Sequence, residues 1–212
     1  ASGDGVLAAF DGVDAVIHAA TDPRRSDAVD VGGTQRAIDA ARSTGVGHLI
    51  YVSIVGIDDI PFPYYKAKVL AERIVTGSGV PHTIVRATQF HALIHTLLSL
   101  LARVPVVMPL PSGVTFQSVA ESEVAERLVA CLADGPRGRA ADFGGPEILS
   151  LREMARTWME VKGIRKTTIP VPIPGRVGEG FRAGRHTTPH GVRGAIRWRE
   201  WLEARAMTER KS

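Results

Sequence analysis

The fold is decided by residues 48–86, which read HLIYVSIVGIDDIPFPYYKAKVLAERIVTGSGVPHTIVR. The apolar runs His48–Ser53 and His82–Arg86 have the pattern of buried strands. Between them, Pro63 favours the first turn of a helix, and Tyr64–Thr76 continues with helical periodicity. A strand, a helix and a second strand in this order predict a βα repeat with a parallel sheet.

The same alternation extends in both directions along the chain, and it predicts an α/β protein. The segment Ile169–Gly180 is rich in proline and glycine and is expected to be an extended crossing rather than a helix. We place a first domain at residues 1–146 and a C-terminal region at residues 147–212. The other predicted elements are strands at Val13–His18 and Ala140–Phe143, and helices at Val31–Thr44, at Glu121–Leu132, after the cap Ser150, and around Arg197–Met207.

The composition is that of a folded globular protein, since 44% of the 212 residues are hydrophobic and 23% are charged. The net charge of +4 is small and scattered. It does not indicate a nucleic-acid partner, although it favours an anionic ligand.

Cys131 is expected to be a buried free thiol. The longest apolar run, Ala92–Ala102, is too short to span a bilayer, and no export signal is present, so we expect a cytoplasmic protein without a membrane partner.

The pair Tyr64 and Lys68 carries the clearest chemistry, because residues four apart on a helix share one face. A nearby ammonium favours the phenolate and is expected to lower the pKa of Tyr64, so that the tyrosine can exchange protons near neutral pH. Ser53 ends the preceding strand, and one interpretation of its hydroxyl is that it caps the following turn.

Several blocks, taken in order, resemble the short-chain dehydrogenase/reductase superfamily, and in particular its atypical or extended, NmrA-like branch. Tyr64 and Lys68 match the pattern Tyr-x-x-x-Lys-x-x-Ala-Glu, and Asp30 stands where the family's Asn-Val-x-Gly-Thr helix start has asparagine. The resemblance implies a Rossmann-like parallel sheet with flanking helices, N-terminally truncated, and a small C-terminal region on the substrate side. The matching blocks are residues 16–20, 30–34, 64–72, 83–90, 116–125 and 144–147.

The resemblance also implies site residues. Tyr64, Lys68 and Ser53 would be catalytic, with Lys68 also holding the cofactor. Ala19 and Ala20 at the end of a strand would let the backbone approach the cofactor, although small residues serve a close strand–helix contact equally well. Arg86 would touch the cofactor or, as an alternative, brace two loops.

Three consecutive residues, Gln89, Phe90 and His91, would face the substrate. The apolar wall Leu93–Leu101 indicates a small and largely hydrophobic substrate. His91 and His95 have the spacing of metal ligands, but no third ligand accompanies them, so no metal is expected.

The front of the resembled fold is missing, because no glycine-rich phosphate loop precedes Val13–His18. We therefore expect either a fragment or a chain whose open sheet edge pairs with a second copy or a partner chain. The expected function is an NAD(P)H-dependent oxidoreductase, using NADP rather than NAD, that acts on a small carbonyl or quinone-like molecule. The alternatives are a non-catalytic dinucleotide-binding redox sensor and a truncated interaction domain.

Overall fold

The computed structural model describes residues 5–209. Residues 27–31 form a π-helical turn that runs directly into the second helix. The helices are α1 (Val6–Phe10), α2 (Gly32–Thr44), α3 (Pro63–Thr76), α4 (His91–Leu101), α5 (Glu121–Asp134), α6 (Leu151–Lys162), α7 (Gly175–Arg182) and α8 (Trp198–Glu209). The strands are β1 (Ala15–His18), β2 (His48–Ile54), β3 (His82–Ala87), β4 (Val107–Pro111), β5 (Thr115–Phe116), β6 (Gly138–Arg139), β7 (Phe143–Gly144), β8 (Leu149–Ser150), β9 (Thr167–Val171) and β10 (Val192–Arg193).

The chain divides into two compact units. The first contains the chain up to Ala87 together with Ala125–Asp142, and the second contains Thr88–Val124 and the chain from Phe143 onwards. The boundary between these two units differs from the domain boundary predicted between residues 146 and 147. The predicted domain boundary stays a prediction, because it separates regions by function and not by compactness.

The first unit is built on a parallel sheet in the order β1, β2, β3 and β6. Ile50 lies between Ile17 on one side and Thr83 on the other, which fixes the register of the three longer strands. One face of β2 packs against α2 and α3, because Leu49 and Tyr51 belong to the same buried cluster as residues of both helices. The predicted α/β class with a parallel, helix-flanked sheet is confirmed.

The edge strand β1 is less enclosed than its neighbours. It is the outer strand of this sheet among the residues that the structure describes. Its Ile17 side chain is 41% exposed, whereas Leu49 and Ile50 on β2 are fully buried. The pairing of this edge with another chain stays a prediction.

The second unit has three small strand pairs, β4 with β9 and β7 with β10 in parallel, and β5 with β8 antiparallel. Its core gathers residues from α4, α6 and α8 around Trp198, which is 1% exposed. The indole N–H of Trp198 donates to the carbonyl of Met154 at 3.1 Å, so its one polar atom is satisfied inside the core. The predicted cap of α6 is confirmed, since Ser150 and Glu153 form a reciprocal capping box.

The predicted extended crossing at Ile169–Gly180 is wrong in its second half, where α7 begins at Gly175. The glycines of α7 allow close packing and do not break the helix. A Cβ atom on Gly178 would lie 1.9 Å from the carbonyl oxygen of Ile173, so only glycine lets this turn of α7 approach the preceding loop. Phe181, on the same helix, packs against the core of the second unit.

The strand predicted at Ala140–Phe143 is also partly wrong. Residues 140–142 are irregular, and the short strands β6 and β7 lie on either side of them.

Among residues 5–209, no helix combines the length and the apolar composition needed to cross a membrane. Cys131 is a free, buried thiol, as predicted.

We expect Trp198→Ala to lower the free energy of unfolding by about 3–5 kcal/mol, because it removes a fully buried aromatic side chain and leaves a cavity. Urea denaturation followed by circular dichroism measures the change. Met207→Ala on the same helix is the matched control, since Met207 is 64% exposed. It should change the stability by less than about 0.5 kcal/mol. Equal effects of the two substitutions would contradict the assignment of Trp198 to the core.

Candidate active site

The helix α3 brings Tyr64 and Lys68 together on one face. Pro63 occupies the start of the helix, where its missing N–H costs no hydrogen bond. The Tyr64 hydroxyl lies 2.6 Å from the hydroxyl of Thr21, in the loop that follows β1. The Lys68 ammonium donates to the carbonyl oxygen of Val52, on β2, at 2.8 Å. Both side chains therefore reach from the helix to residues at the carboxyl ends of the parallel strands.

A buried carboxylate, Asp30, lies behind this pair. It belongs to the π-helical turn before α2, a type of distortion that is frequent at functional sites, and it is 0% exposed. One carboxylate oxygen accepts a 2.7 Å hydrogen bond from Thr21, and the other accepts from the backbone N–H of Asp22 at 3.2 Å. The Lys68 ammonium lies 3.6 Å from Asp30 and is itself 3% exposed, so the two charges neutralise each other away from solvent.

Two aromatic side chains lie close to the Lys68 ammonium. Lys68 lies over the Tyr51 ring, 4.3 Å from its centroid, and His18 lies 5.4 Å from the same ring. His18 is buried and forms a 2.9 Å hydrogen bond with the hydroxyl of Thr34, so it is a packed residue of the sheet. Burial and the nearby Lys68 lower the pKa of His18 to about 4, so the ring is neutral near pH 7.

The pKa of Tyr64 is shifted in the direction opposite to the prediction. Burial raises it above its usual value, the hydrogen bond with Thr21 opposes this, and the charge of Asp30 adds to the rise. The prediction considered only the ammonium of Lys68, whose charge is balanced here by Asp30. Burial lowers the pKa of Lys68 to about 8, while Asp30 and Glu72 hold it from falling further. Tyr64 is therefore a protonated phenol at neutral pH.

Ser53 is 2% exposed at the end of β2. Its hydroxyl has no hydrogen-bond partner among the residues that the structure describes, so it does not cap the following turn. A buried hydroxyl without a partner is costly, and one that is left so in a folded protein calls for an explanation such as a ligand or an ordered water. Ser53 is therefore free to bond a ligand.

The residues predicted to bind cofactor differ in their exposure and in their partners. Ala19 and Ala20 are exposed directly after β1, so the backbone there is open to a ligand. Arg86 is 5% exposed, and its guanidinium binds both carboxylate oxygens of Glu72, at 2.7 and 2.6 Å, as well as Asp58. Burial alone would lower the pKa of Arg86, but the two carboxylates outweigh it and raise that pKa. This geometry favours the alternative in which Arg86 is a brace.

The three residues predicted to face the substrate lie in the second unit. Gln89 is 7% exposed, and neither its amide nitrogen nor its amide oxygen has a partner among the described residues. Phe90 is half-buried at the start of α4. His91 is 1% exposed, with one ring nitrogen 2.8 Å from the Ser118 hydroxyl and the other 3.1 Å from a backbone carbonyl. Gln89 is thus available to a ligand, whereas both nitrogens of His91 are occupied.

Thr21, the residue that bonds Tyr64, stands in no motif that marks it in the sequence. Asp30 was predicted only as part of a helix start. A signal for Asp30 was present in the sequence, since an acidic residue stands where the resembled helix start has asparagine. Lys68, which belongs to the separate tyrosine–lysine pattern, needs a counter-charge when it is buried. The contact between Thr21 and Tyr64 depends on the fold, because it forms where the loop after β1 passes the end of α3.

We expect the side chain of Lys68 to titrate with a midpoint near pH 8, so that it is charged below this pH and neutral above it. The ¹³Cε resonance of labelled lysine measures this directly. Asp30→Asn should lower the midpoint further, because it removes the negative charge that favours the ammonium. Lys66→Arg, at an exposed neighbouring position, should leave it unchanged. An unaltered midpoint in Asp30→Asn would contradict the ion pair.

Known proteins share this fold and part of this sequence. The sequence profile of the NAD(P)H-binding family matches residues 2–135. A (4-alkanoyl-5-oxo-2,5-dihydrofuran-3-yl)methyl phosphate reductase from Streptomyces griseus is 30% identical over 158 residues, which cover 73% of this chain and 54% of the reductase. The chain spans about half the length of the curated relatives it matches.

Two solved structures show the fold at lower identity. An NADPH-dependent quinone oxidoreductase from Escherichia coli, complexed with NADPH, has a TM-score of 0.77 at 14% identity, covering 96% of this chain and 80% of that one. A nucleoside-diphosphate-sugar epimerase from Staphylococcus aureus has a TM-score of 0.74 at 16% identity, covering 95% and 80%. The Rossmann-like architecture is confirmed, while the NmrA-like branch stays a prediction. By its sequence match and its fold, the chain belongs to the NAD(P)H-binding family.

Proposed function

We propose that this protein is an NAD(P)H-dependent oxidoreductase of the short-chain dehydrogenase type, which reduces a small, largely apolar carbonyl or quinone-like substrate. The observation that carries the proposal is the pair Tyr64 and Lys68 on one face of α3, with the unpartnered Ser53 hydroxyl at the end of β2. The reductase activities named for the Streptomyces griseus and Escherichia coli proteins support the reaction class.

The residues of the first unit fit a dinucleotide. An ammonium has three N–H donors, and Val52 and Asp30 account for two of those on Lys68, which leaves one for a ribose hydroxyl. Tyr64 would lie beside the same ribose, and the exposed Ala19 and Ala20 would allow the backbone to approach the adenosine side. When bound, NAD(P)H supplies the hydride. We propose NADPH as the preferred form, as in the Escherichia coli neighbour.

The chain's own residues supply the proton and the orientation. Tyr64 is a protonated phenol at neutral pH and would donate its proton to the oxygen of the substrate. Ser53, whose hydroxyl has no partner among the described residues, would hydrogen-bond the same oxygen and hold it in position. Lys68 would hold the cofactor and contribute positive charge near the reacting oxygen.

The second unit offers features suited to an apolar substrate. Leu93 and Leu100 lie seven residues apart on α4, so they share a face, and they are 57% and 58% exposed. The buried amide of Gln89, free at both its donor and its acceptor, is suited to bond the polar end of such a molecule.

Tyr64→Phe should lower kcat by at least about 100-fold, because it removes the proton donor. The Kd for NADPH should change by less than about threefold, since Lys68 remains. Calorimetry with NADPH and NADH, and a panel of carbonyl and quinone substrates, test this on the protein isolated from its native cells. Tyr65→Phe, at the neighbouring buried tyrosine, is the control and should keep its turnover. Dinucleotide binding without any turnover would instead support a redox sensor, and no binding would support an interaction domain.

Gln89→Leu should raise KM by about tenfold with little change in the Kd for NADPH, because it removes the amide offered to the substrate. Its stability should be equal to or higher than that of the natural protein, since a buried amide without partners is replaced by an apolar group. Gln35→Leu, at an exposed position on α2, is the control. A loss of stability with KM unchanged would show that Gln89 is structural.

A further inference from the structure

The second unit contains a cavity of about 820 Å³ that is lined by none of the residues assigned to the proposed function. It lies where the carboxyl end of α6 leads into β9, beside the loop that precedes β4. Its size is within the range of roughly 300–1,000 Å³ that is typical of sites for small molecules. Every residue that lines it belongs to the second unit, so this unit forms the cavity by itself.

Three cationic side chains line this cavity. The ammonium of Lys166 donates to the carbonyl oxygens of Ala102, at 2.5 Å, and of Val104, at 2.6 Å, which hold it in place with one N–H left to donate. Arg165 is exposed, and its guanidinium has no partner among the residues that the structure describes. Arg156 on α6 has only a loose contact of 4.0 Å with a carboxylate. The cavity therefore carries positive charge that the chain itself does not fully neutralise.

The negative groups beside this cavity are already engaged. Glu160 is the one carboxylate among the lining residues, and it forms a 2.5 Å ion pair with Arg199 on α8. At the end of α6, the carbonyl oxygens of Met159 and Glu160 accept backbone hydrogen bonds, at 2.9 and 3.2 Å, from the residues that follow the helix. These bonds satisfy carbonyl groups that would otherwise present negative potential to a ligand. The local charges thus favour an anion.

The remaining lining of the cavity is mostly apolar. Met159 and Ile164 are half-buried and also pack against the core of the second unit, so their side chains are held in position. Val106 is 84% exposed, which is the largest exposed fraction among the large apolar side chains that the structure describes. A ligand with an apolar body would remove this valine from water, which is favourable.

The backbone at Val106 is strained as well as exposed. Its φ angle is +66°, and within the described part of the chain it is the one residue other than glycine with a positive φ. A β-branched side chain is unfavourable in this left-handed conformation. Strain of this kind clusters at ligand sites and switch regions in folded proteins. Two costly features, an exposed apolar side chain and a strained backbone, therefore coincide at one residue of the cavity.

We propose that this cavity binds a small amphipathic anion, in which a carboxylate or a phosphate group is attached to a short apolar body. Arg165 makes the bidentate contact that a guanidinium forms with either group, and Lys166 donates its remaining N–H. The apolar body packs against Met159, Ile164 and Val106. The site goes beyond the proposed function, because it requires neither a dinucleotide nor any residue of the first unit.

NMR titration of the whole chain with hexanoate and with hexyl phosphate tests the site. At least one of these anions should shift the backbone amide resonances of residues 163–167 and saturate, and the tighter of the two identifies the preferred anionic group. The neutral 1-hexanol and the cationic hexylammonium have the same apolar chain and should bind at least about tenfold more weakly, because they cannot accept the charge-assisted hydrogen bonds. Saturation by neither anion, or equal binding of 1-hexanol, would overturn the proposal.

Arg165→Gln should weaken the binding of the preferred anion by at least about tenfold, since it removes a charged hydrogen-bond donor. Arg152→Gln is the matched control, because Arg152 is an exposed arginine on α6 that does not line the cavity. The control should change the Kd by less than about twofold, as expected for a solvated charge. Equal losses in the two variants would show that the anion responds only to the general charge of the surface, and the site would then be rejected.

Val106→Asn separates a direct contact from a folding defect. Asparagine adopts a positive φ more readily than valine, so the midpoint of thermal unfolding should stay the same or rise. The affinity for the preferred anion should nevertheless fall by about threefold, because an apolar contact is lost. An unchanged affinity would remove Val106 from the site. Reductase activity is not measured in any of these experiments, so failure of the proposed function would leave their outcome unchanged.

Discussion

The ion pair of Asp30 and Lys68 is the interaction on which the first unit's site depends. Both residues are almost completely buried. A single buried charge costs several kcal/mol, and the attraction between the two opposite charges offsets part of this cost. The pair joins the turn before α2 to α3, and Lys68 adds a bond to β2. Three elements of the unit therefore converge on this one pair.

The position of the Tyr64 hydroxyl follows from this pair. Because Asp30 is held in place, it fixes Thr21, and Thr21 in turn fixes the hydroxyl of Tyr64. Burial and the charge of Asp30 raise the pKa of Tyr64, so its phenol stays protonated at neutral pH, which suits the proton donor that we propose. Charge pairing recurs elsewhere in the unit, where the carboxylates of Glu72 and Asp58 bind the buried guanidinium of Arg86, a geometry that favours a bracing role.

The second unit is organised by packing rather than by charge. Tryptophans 158 and 198 and the side chains of three helices form its core, and the indole of Trp198 finds a backbone partner there. Among the residues that the structure describes, the amide of Gln89 is one of several buried polar groups in this unit without a hydrogen-bond partner, and it lacks one at both its nitrogen and its oxygen. Each unit therefore contains a buried polar side chain without a partner among the described residues, Ser53 in the first and Gln89 in the second.

The sequence by itself determined the repeating elements of the sheet and the helix that carries Tyr64 and Lys68. Strand periodicity, Pro63 at a helix start and the capping pair at Ser150 are local signals, and each acts over a few residues. The family was recognisable for the same reason. The helix at Gly175 was missed because its glycines serve a contact with Ile173, which no local pattern shows.

Only the tertiary structure decided which groups meet. The direction of the pKa shift of Tyr64, the brace at Arg86 and the contact with Thr21 depend on distances between residues far apart in the chain. Burial and charge pairing are properties of that arrangement, because the same side chains in an extended chain are solvated and have ordinary pKa values. Sequence therefore specified the candidate site residues, and the fold determined their protonation and their partners.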